Sequence, residues 1–254
     1  MCPTPQRGAF NKAERAQAQP LEPDSVRTDG GIVKESLLPQ YIFSLNPIRY
    51  QDRTILQEQD FSIPQQRWTF LTGPSGSGKT TLLKTILGLV PGLKAGKNYT
   101  PRPSYMPQRD LLLPWKTVWD NLSLGPSLRQ NSFCQIRAET LLKAVGLYDR
   151  RHCYPHQLSL GMRHRVALAR TLMEDSDLVL MDEPFSAVDI QTRQELHRLA
   201  TDQLKGKTIL CVSHDWDEVV KLADQIFILE GSPAFCRRLS KKDCPKPWKK
   251  SLYA

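Results

Sequence analysis

Gly73-Pro-Ser-Gly-Ser-Gly-Lys-Thr80 meets every fixed position of the pattern G-x-x-x-x-G-K-[ST]. The apolar run Trp68-Thr-Phe-Leu71 precedes it, and Leu82, Leu83, Ile86 and Leu87 follow at helical spacing. Strand, glycine-rich loop and helix in that order are the context the pattern needs. Gly73, Gly76 and Gly78 carry no Cβ, so successive backbone N–H groups can turn inward on an anion. Pro74, Ser75 and Ser77 complete the loop, which closes on the positive end of a helix dipole. Lys79 is spaced to reach the β- and γ-phosphates of a nucleotide, and Thr80, followed by Thr81, offers a hydroxyl to Mg²⁺. A glycine-rich turn without function would satisfy the same letters but not the flanking strand and helix. The stretch predicts a nucleotide-phosphate site in an α/β fold.

Downstream, Leu178-Val-Leu-Met181, Ile209-Leu-Cys-Val212 and Ile226-Phe-Ile-Leu229 are unbroken apolar runs, the pattern of parallel strands buried on both faces. Leu196, Leu199, Ala200 and Leu204, then Trp216, Val219, Val220 and Ala223, recur at helical spacing between them. Asp215 with Glu218 three residues on reads as a capping pair opening the second of these helices. A helical segment near Phe133–Val145 stops at Gly146, and another begins at Ser159. Alternation of strand and helix gives an α/β class with a largely parallel sheet.

Ligands of such sheets bind beyond the carboxyl ends of the strands. Asp182-Glu183 stands at one of those ends. Strand alternation separates the two acids, leaving Asp182 to hold Mg²⁺ and Glu183 to polarise a water at the γ-phosphate. Alone they would be a solvated strand end; the phosphate loop shifts the balance. His214, after the strand Ile209–Val212, falls on the same edge and can donate to the γ-phosphate. Ser159 is a natural N-cap and Gly161 lets a ligand approach the backbone, which makes a second anion-seeking helix end.

The bulk numbers exclude little but organise the rest. The chain has 254 residues, 40% of them hydrophobic, and no apolar run approaches the length of a membrane span. Met1–Leu21 has no hydrophobic core, so no secretory signal is expected. Six cysteines (2, 134, 153, 211, 236 and 244) form no C-x-x-C pair, which suits reduced thiols. The net charge of +9 is concentrated late: seven basic residues against Asp243 between Arg237 and Lys250. A solvated tail is the favoured account, with membrane-surface contact through Trp248 and Tyr253 next. The expected organisation is a flexible leader over 1–36, an ATP-binding domain over 37–231 and a basic C-terminal tail over 232–254.

From about Leu45 to Leu229 the order of motifs resembles the ATP-binding subunit of ABC transporters. The phosphate loop at 73–80 is followed by Gln108 in the place of the Q-loop glutamine and Leu158-Ser-Leu-Gly-Met162 in that of the signature segment. Leu178–Pro184 matches Walker B, Ser186-Ala-Val-Asp189 the D-loop and His214 the switch histidine. Tyr50 falls where the family stacks an aromatic on adenine, although a core strand tyrosine fits the position too. The resemblance implies a P-loop NTPase core with a mainly parallel sheet, a helical signature subdomain and a short antiparallel β subdomain. It implies a head-to-tail homodimer with each ATP between the phosphate loop of one subunit and the signature helix, with Ser159 and Gly161, of the other, and Asp189 of the D-loop as a further nucleotide-binding residue. Glu183 would act as base, Lys79 and His214 would stabilise charge, and Thr80, Gln108 and Asp182 would hold Mg²⁺. Separate transmembrane permease subunits and a solute-binding protein follow as partners, with this chain peripheral at the cytoplasmic face of the inner membrane and no nucleic acid.

Leu160 replaces the usual third glycine of the signature, His164 replaces a common glutamine, and the span from Lys79 to Gln108 is short. Weakened closure on ATP and a trimmed β subdomain are the expectations. Gln108–Asn121 together with Met162-Arg163 is similar to importers of nitrate, sulfonates, taurine and thiamine-pyrimidine precursors. The blander account is that Leu111–Leu113 and Trp115 pack the helical subdomain. A soluble ABC-type ATPase on nucleic acid or ribosomes would usually carry two cassettes or a long coiled-coil insertion. A small-molecule kinase leaves Ser159–Met162, Asp189 and His214 unexplained, and a non-hydrolysing module is opposed by intact Lys79, Asp182, Glu183 and His214.

Overall fold

The unbroken apolar runs become the inner strands of a sheet covered on both faces. The computed structural model describes residues 39–94, 102–130, 132–174, 176–186 and 188–244. In chain order the elements are β1 (Gln40–Leu45), β2 (Ile48–Tyr50), β3 (Arg53–Leu56), β4 (Gln59–Pro64), β5 (Trp68–Thr72), α1 (Lys79–Ile86) and β6 (Ser104–Met106). Then come α2 (Val118–Leu128), α3 (Gln135–Ala144), α4 (Leu160–Leu172), β7 (Leu178–Asp182) and α5 (Ile190–Gln203). The series closes with β8 (Thr208–Val212), α6 (Trp216–Leu222), β9 (Gln225–Gly231) and β10 (Ala234–Leu239).

The larger sheet has the order β2-β3-β10-β9-β5-β8-β7-β6. β6, β7, β8, β5 and β9 are parallel, so their carboxyl ends share one edge. Every residue of β7 and β8 is buried, and the reason is two-sided packing. Leu178 and Leu180 join β1–β4 and α1 on one face, while Val179 and Met181 join α2–α5 on the other. Burying a side chain of this size contributes roughly 1.5–3 kcal/mol, so these strands anchor whatever extends from their ends.

The antiparallel subdomain is the β1–β4 pair, with Tyr41 opposite Ile63, plus the β2–β3 hairpin on the edge of the main sheet. Phe43 stacks on Phe61 at 5.1 Å, and Phe61 meets Phe227 edge-on at 5.8 Å, which ties that pair to β9. α3 starts at Gln135, later than the sequence suggests, because Phe133 is spent packing edge-on against Trp119. Gly146, beyond the end of α3, has φ 68° as a left-handed stop requires. Asp215 caps α6 through Asp217 N, but Glu218 does not return the bond; it is buried and accepts from Ser213 Oγ instead.

One boundary is corrected. The basic tail expected from 232 onward contributes β10, which pairs antiparallel with β9 from Ala234 to Leu239. Arg237 pairs with Glu230 across that ladder at 2.6 Å, and Cys244 is buried beyond it. Exposed Phe235, Arg237 and Arg238 share the strand with buried Ala234 and half-buried Cys236 and Leu239, a mixture that composition reads as a tail. The leader over 1–36 and the lysines after Cys244 lie outside the described residues. Among the described residues no helix is long and apolar enough to cross a membrane.

Gly73 leaves β5 at φ 142°, and a Cβ there would meet Leu229 O at 2.4 Å. Gly73→Ala should therefore lower stability by about 1–3 kcal/mol. Thermal unfolding checks this, and the variant's midpoint should fall well below that of Gly76→Ala, whose added Cβ meets no atom within 4 Å.

Candidate functional site

Because β5, β6, β7 and β8 are parallel, the segments that follow them meet at one edge. After β5 the loop closes on Gly78, which caps α1 with φ 100° and sits 3.0 Å, measured from its would-be Cβ, from Ile55 Cγ2. Lys79 is buried, and its Nζ donates to Gly73 O at 2.9 Å and Pro74 O at 2.7 Å. Burial lowers its pKa, and the nearby Glu183 and Asp182 carboxylates oppose that shift. Thr80 Oγ1 donates to Asp182 Oδ2 at 2.8 Å. Asp182 is 2% exposed. Burial raises its pKa, with the Thr80 bond pulling the other way.

Glu183 does not simply alternate with Asp182 along β7. It leaves the strand in a left-handed conformation, φ 50°, with its N–H donating to Val212 O at 3.0 Å. That twist, uncommon for a residue with a side chain, aims its carboxylate beyond the sheet. Gln108 Nε2 donates to Oε2 at 3.0 Å, and His214 Nδ1 lies 3.2 Å from Oε1. Six of the residues singled out from the sequence thus converge: Lys79, Thr80, Gln108, Asp182, Glu183 and His214. Gln108 is brought to Glu183 and not to the Thr80–Asp182 pair.

Ser159 and Asp189 are engaged as helix caps. Ser159 Oγ accepts from Met162 N at the start of α4, and Asp189 Oδ1 accepts from Thr192 N at 3.0 Å at the start of α5. Among the described residues a Cβ on Gly161 would meet only Val188 Cγ1, at 3.6 Å, so none of them demands a glycine there. Tyr50, 69% exposed at the end of β2, is not a core residue. His164 is buried, with a pKa lowered by desolvation.

Several contacts around the site were not read from the sequence. Ser186 Oγ donates to Glu183 O at 3.0 Å, and Arg193 pairs with Asp215 at 2.6 Å, joining α5 to the loop of His214. Below that loop Glu218 and His197 are buried with His197 Nε2 3.9 Å from Glu218 Oε1. Phe185, following Walker B, packs edge-on against His197 at 4.5 Å.

The donor set suits phosphate and a hard divalent cation. Gly73, Gly76 and Gly78 hold φ angles of 142°, 76° and 100°, which turn the loop backbone as a phosphate cradle requires, and Thr80 Oγ1 and Asp182 Oδ2 are two oxygen ligands already in contact. The raised Asp182 pKa marks a buried carboxylate short of positive charge.

Similarity to known proteins gives the family. The domain family described as ABC transporter matches residues 56–186. The aliphatic sulfonates import ATP-binding protein SsuB 1 of Paracoccus denitrificans is 41% identical over 184 residues, 71% of this chain and 75% of its own. The chain belongs to the ABC transporter family. An SsuB 2 protein of Rhodococcus jostii is 37% identical over 203 residues, covering 78% and 81% of the two chains. The ATP-binding cassette MJ0796, solved as a dimer with ADP and Pi, shares the fold at a TM-score of 0.66 and 23% identity, over 75% of this chain and 94% of that one. As an ABC cassette the chain is an ATP-hydrolysing subunit of a membrane transporter.

The buried pair beneath His214 gives this cassette a pH signature. Burial raises Glu218 to about 7 and lowers His197 to about 4. Folding loses stability as pH rises from 4.5 through 7 and Glu218 must ionise in the interior. His197, deprotonated when folded, works in the opposite sense up to its ordinary 6.5. Glu218→Gln removes the first limb alone. Its stability relative to the wild type should climb by roughly 1–3 kcal/mol between pH 4.5 and 7, measured by denaturant unfolding.

Proposed function

We propose that this chain binds Mg²⁺-ATP at Gly73–Thr81 and hydrolyses it as half of a head-to-tail homodimer that powers an importer of a small anionic solute. The convergence of Gln108 and His214 on Glu183 is the observation that carries the chemistry. Glu183 accepts the proton of the attacking water, its carboxylate oriented by contacts on both oxygens. Lys79 exchanges loop carbonyls for phosphate oxygens, and His214 donates toward the γ-phosphate as charge develops. Thr80 and Asp182, with Gln108 alongside, would hold Mg²⁺, which supplies charge neutralisation to the phosphates. Pro74, Ser75, Gly76 and Ser77 line the phosphates, and exposed Tyr50 stacks on adenine.

Ser159, Gly161 and Asp189 serve the nucleotide of the other subunit. Support comes from a glycine that nothing among the described residues requires, at the helix end that Ser159 caps. Leu160, 52% exposed at the same helix end, stands between closing surfaces and weakens closure.

Leu111 and Trp115, 60% and 70% exposed, are proposed to meet the permease, while Leu112 packs inward. Buried Asn121 supports that loop, accepting from Leu113 N at 2.8 Å and donating to Leu113 O, Lys116 O and Thr117 O. The relatives named for aliphatic sulfonates favour a sulfonate-like anion, with a thiamine-precursor-like solute second, delivered by a solute-binding protein. The cassette then works peripherally on the cytoplasmic face of the inner membrane. A nucleic-acid role loses weight because Arg237 of the basic segment is paired within the sheet. By this account the domain runs from about 37 through β10, with a leader before it.

Glu183→Gln should keep ATP binding and accumulate as a dimer while turnover falls by about 10²–10⁴-fold. Pull-down of that variant in ATP from solubilised membranes should bring a multi-span membrane protein; ribosomes or nucleic acid alone would overturn the transport reading. Leu160→Gly should raise ATPase activity of the assembled complex, and an unchanged or lower rate would count against the role given to Leu160.

A further inference from the structure

The loop that follows Gln108 is gripped from α4 at two places. Arg163 Nε donates to Asp110 Oδ2 at 2.9 Å. Arg170 donates from one guanidinium nitrogen to Asp110 O at 3.0 Å and from another to Leu111 O at 2.9 Å. The two arginines are seven residues apart on α4, about two turns, so they stand on one face. Both Arg163 and Asp110 are well shielded, with side chains 31% and 21% exposed, where a charge-assisted bond keeps its strength. Burial lowers the pKa of Arg170 and Asp110 opposes the shift, as expected of a guanidinium that has exchanged water for this loop.

The gripped backbone is not relaxed. Leu111 has φ 43°, a left-handed conformation unusual for a branched side chain, and points outward. Asp110 Oδ1 also accepts from Leu112 N at 3.2 Å, so the same carboxylate sets the turn and receives the helix. Such a conformation persists when surrounding contacts over-determine it. At the other end of the connection, Arg163 lies in the first turn of α4 and donates to Leu158 O at 3.2 Å, beside Ser159.

We infer that Asp110, Arg163 and Arg170 are positioning residues that strap the loop bearing Leu111 and Trp115 to α4, so that the loop follows the helix end that meets the partner's nucleotide. This rests on the homodimer reading above. Gln108, against Glu183, connects the loop to its own subunit's nucleotide. The strap adds a route from the opposite nucleotide, and both routes end on the same exposed pair. An Arg–carboxylate contact and two Arg–carbonyl contacts transmit a rigid shift better than one flexible loop does.

Hydrogen–deuterium exchange on the full chain, in the Glu183→Gln background with and without ATP, tests this without a permease. ATP should slow exchange in both 159–164 and 110–116. Arg163→Ala leaves the Asp110 turn intact; it should retain the response at 159–164 and lose about two-thirds or more of that at 110–116. Arg163→Lys, which can still pair with Asp110, should restore most of it. A response at 110–116 unchanged in both Arg163→Ala and Arg170→Ala overturns the strap. So does a response confined to 159–164 in the parent. If neither segment responds although ATP binds, the homodimer reading fails, and the strap falls with it.

Discussion

The bond from Thr80 to Asp182 joins residues 102 apart in the chain, and the site is organised around it. It forms because β5 and β7 flank β8 in parallel register, with Leu71 opposite Val212 and Val212 opposite Asp182. The strand ends are therefore level, and α1 starts directly over them. A slip of one residue in β7 would turn Asp182 to the opposite face and exchange the two cores that Leu180 and Met181 now fill. Register is enforced by hydrophobic packing far from any phosphate. The chemistry inherits its geometry from the core.

That arrangement leaves charges in places where water cannot serve them. Asp182 is buried with one hydroxyl, Lys79 is buried on two carbonyls, and Glu183 sits between an amide and an imidazole. Each lacks a full complement of opposite charge, which under the proposed function a phosphate or a divalent cation supplies. Preorganisation of this kind costs folding stability and is returned when ligand binds. Glu218 and His197 extend the pattern one layer down, where Ser213 and Phe185 join the His214 loop to the turn after β7. The acids of the site are supported by a second tier of buried titratable groups, which makes stability sensitive to pH near neutrality.

Helix α4 links the two ends of the molecule's task. Its first turn holds Ser159, Leu160 and Gly161, its inner face packs against β6 and α2, and its arginines reach the loop after Gln108. A single helix thus carries both the Ser159 cap, proposed to meet a nucleotide, and the support of the loop with the exposed Leu111 and Trp115.

Much of this was legible in the residues alone. The phosphate loop, the Asp182-Glu183 strand end, the Ser159 cap and the parallel-sheet class rest on spacing and periodicity, which are local and survive in one dimension. Gly73 and Gly78 announced their backbone conformations because only glycine tolerates them cheaply. The strand at Ala234–Leu239 was hidden by its charge, since Arg237 and Arg238 sit among residues that composition assigns to a tail. Glu183's left-handed turn, the burial of Glu218 and the strap from Arg163 and Arg170 to Asp110 were equally out of reach. Each depends on a partner from another element, and pairings at long sequence separation are chosen by how the sheet stacks its helices. The sequence by itself determined which groups the chain brings to its chemistry; the tertiary structure alone decided which of them touch, because distance in space is set by packing and not by spacing along the chain.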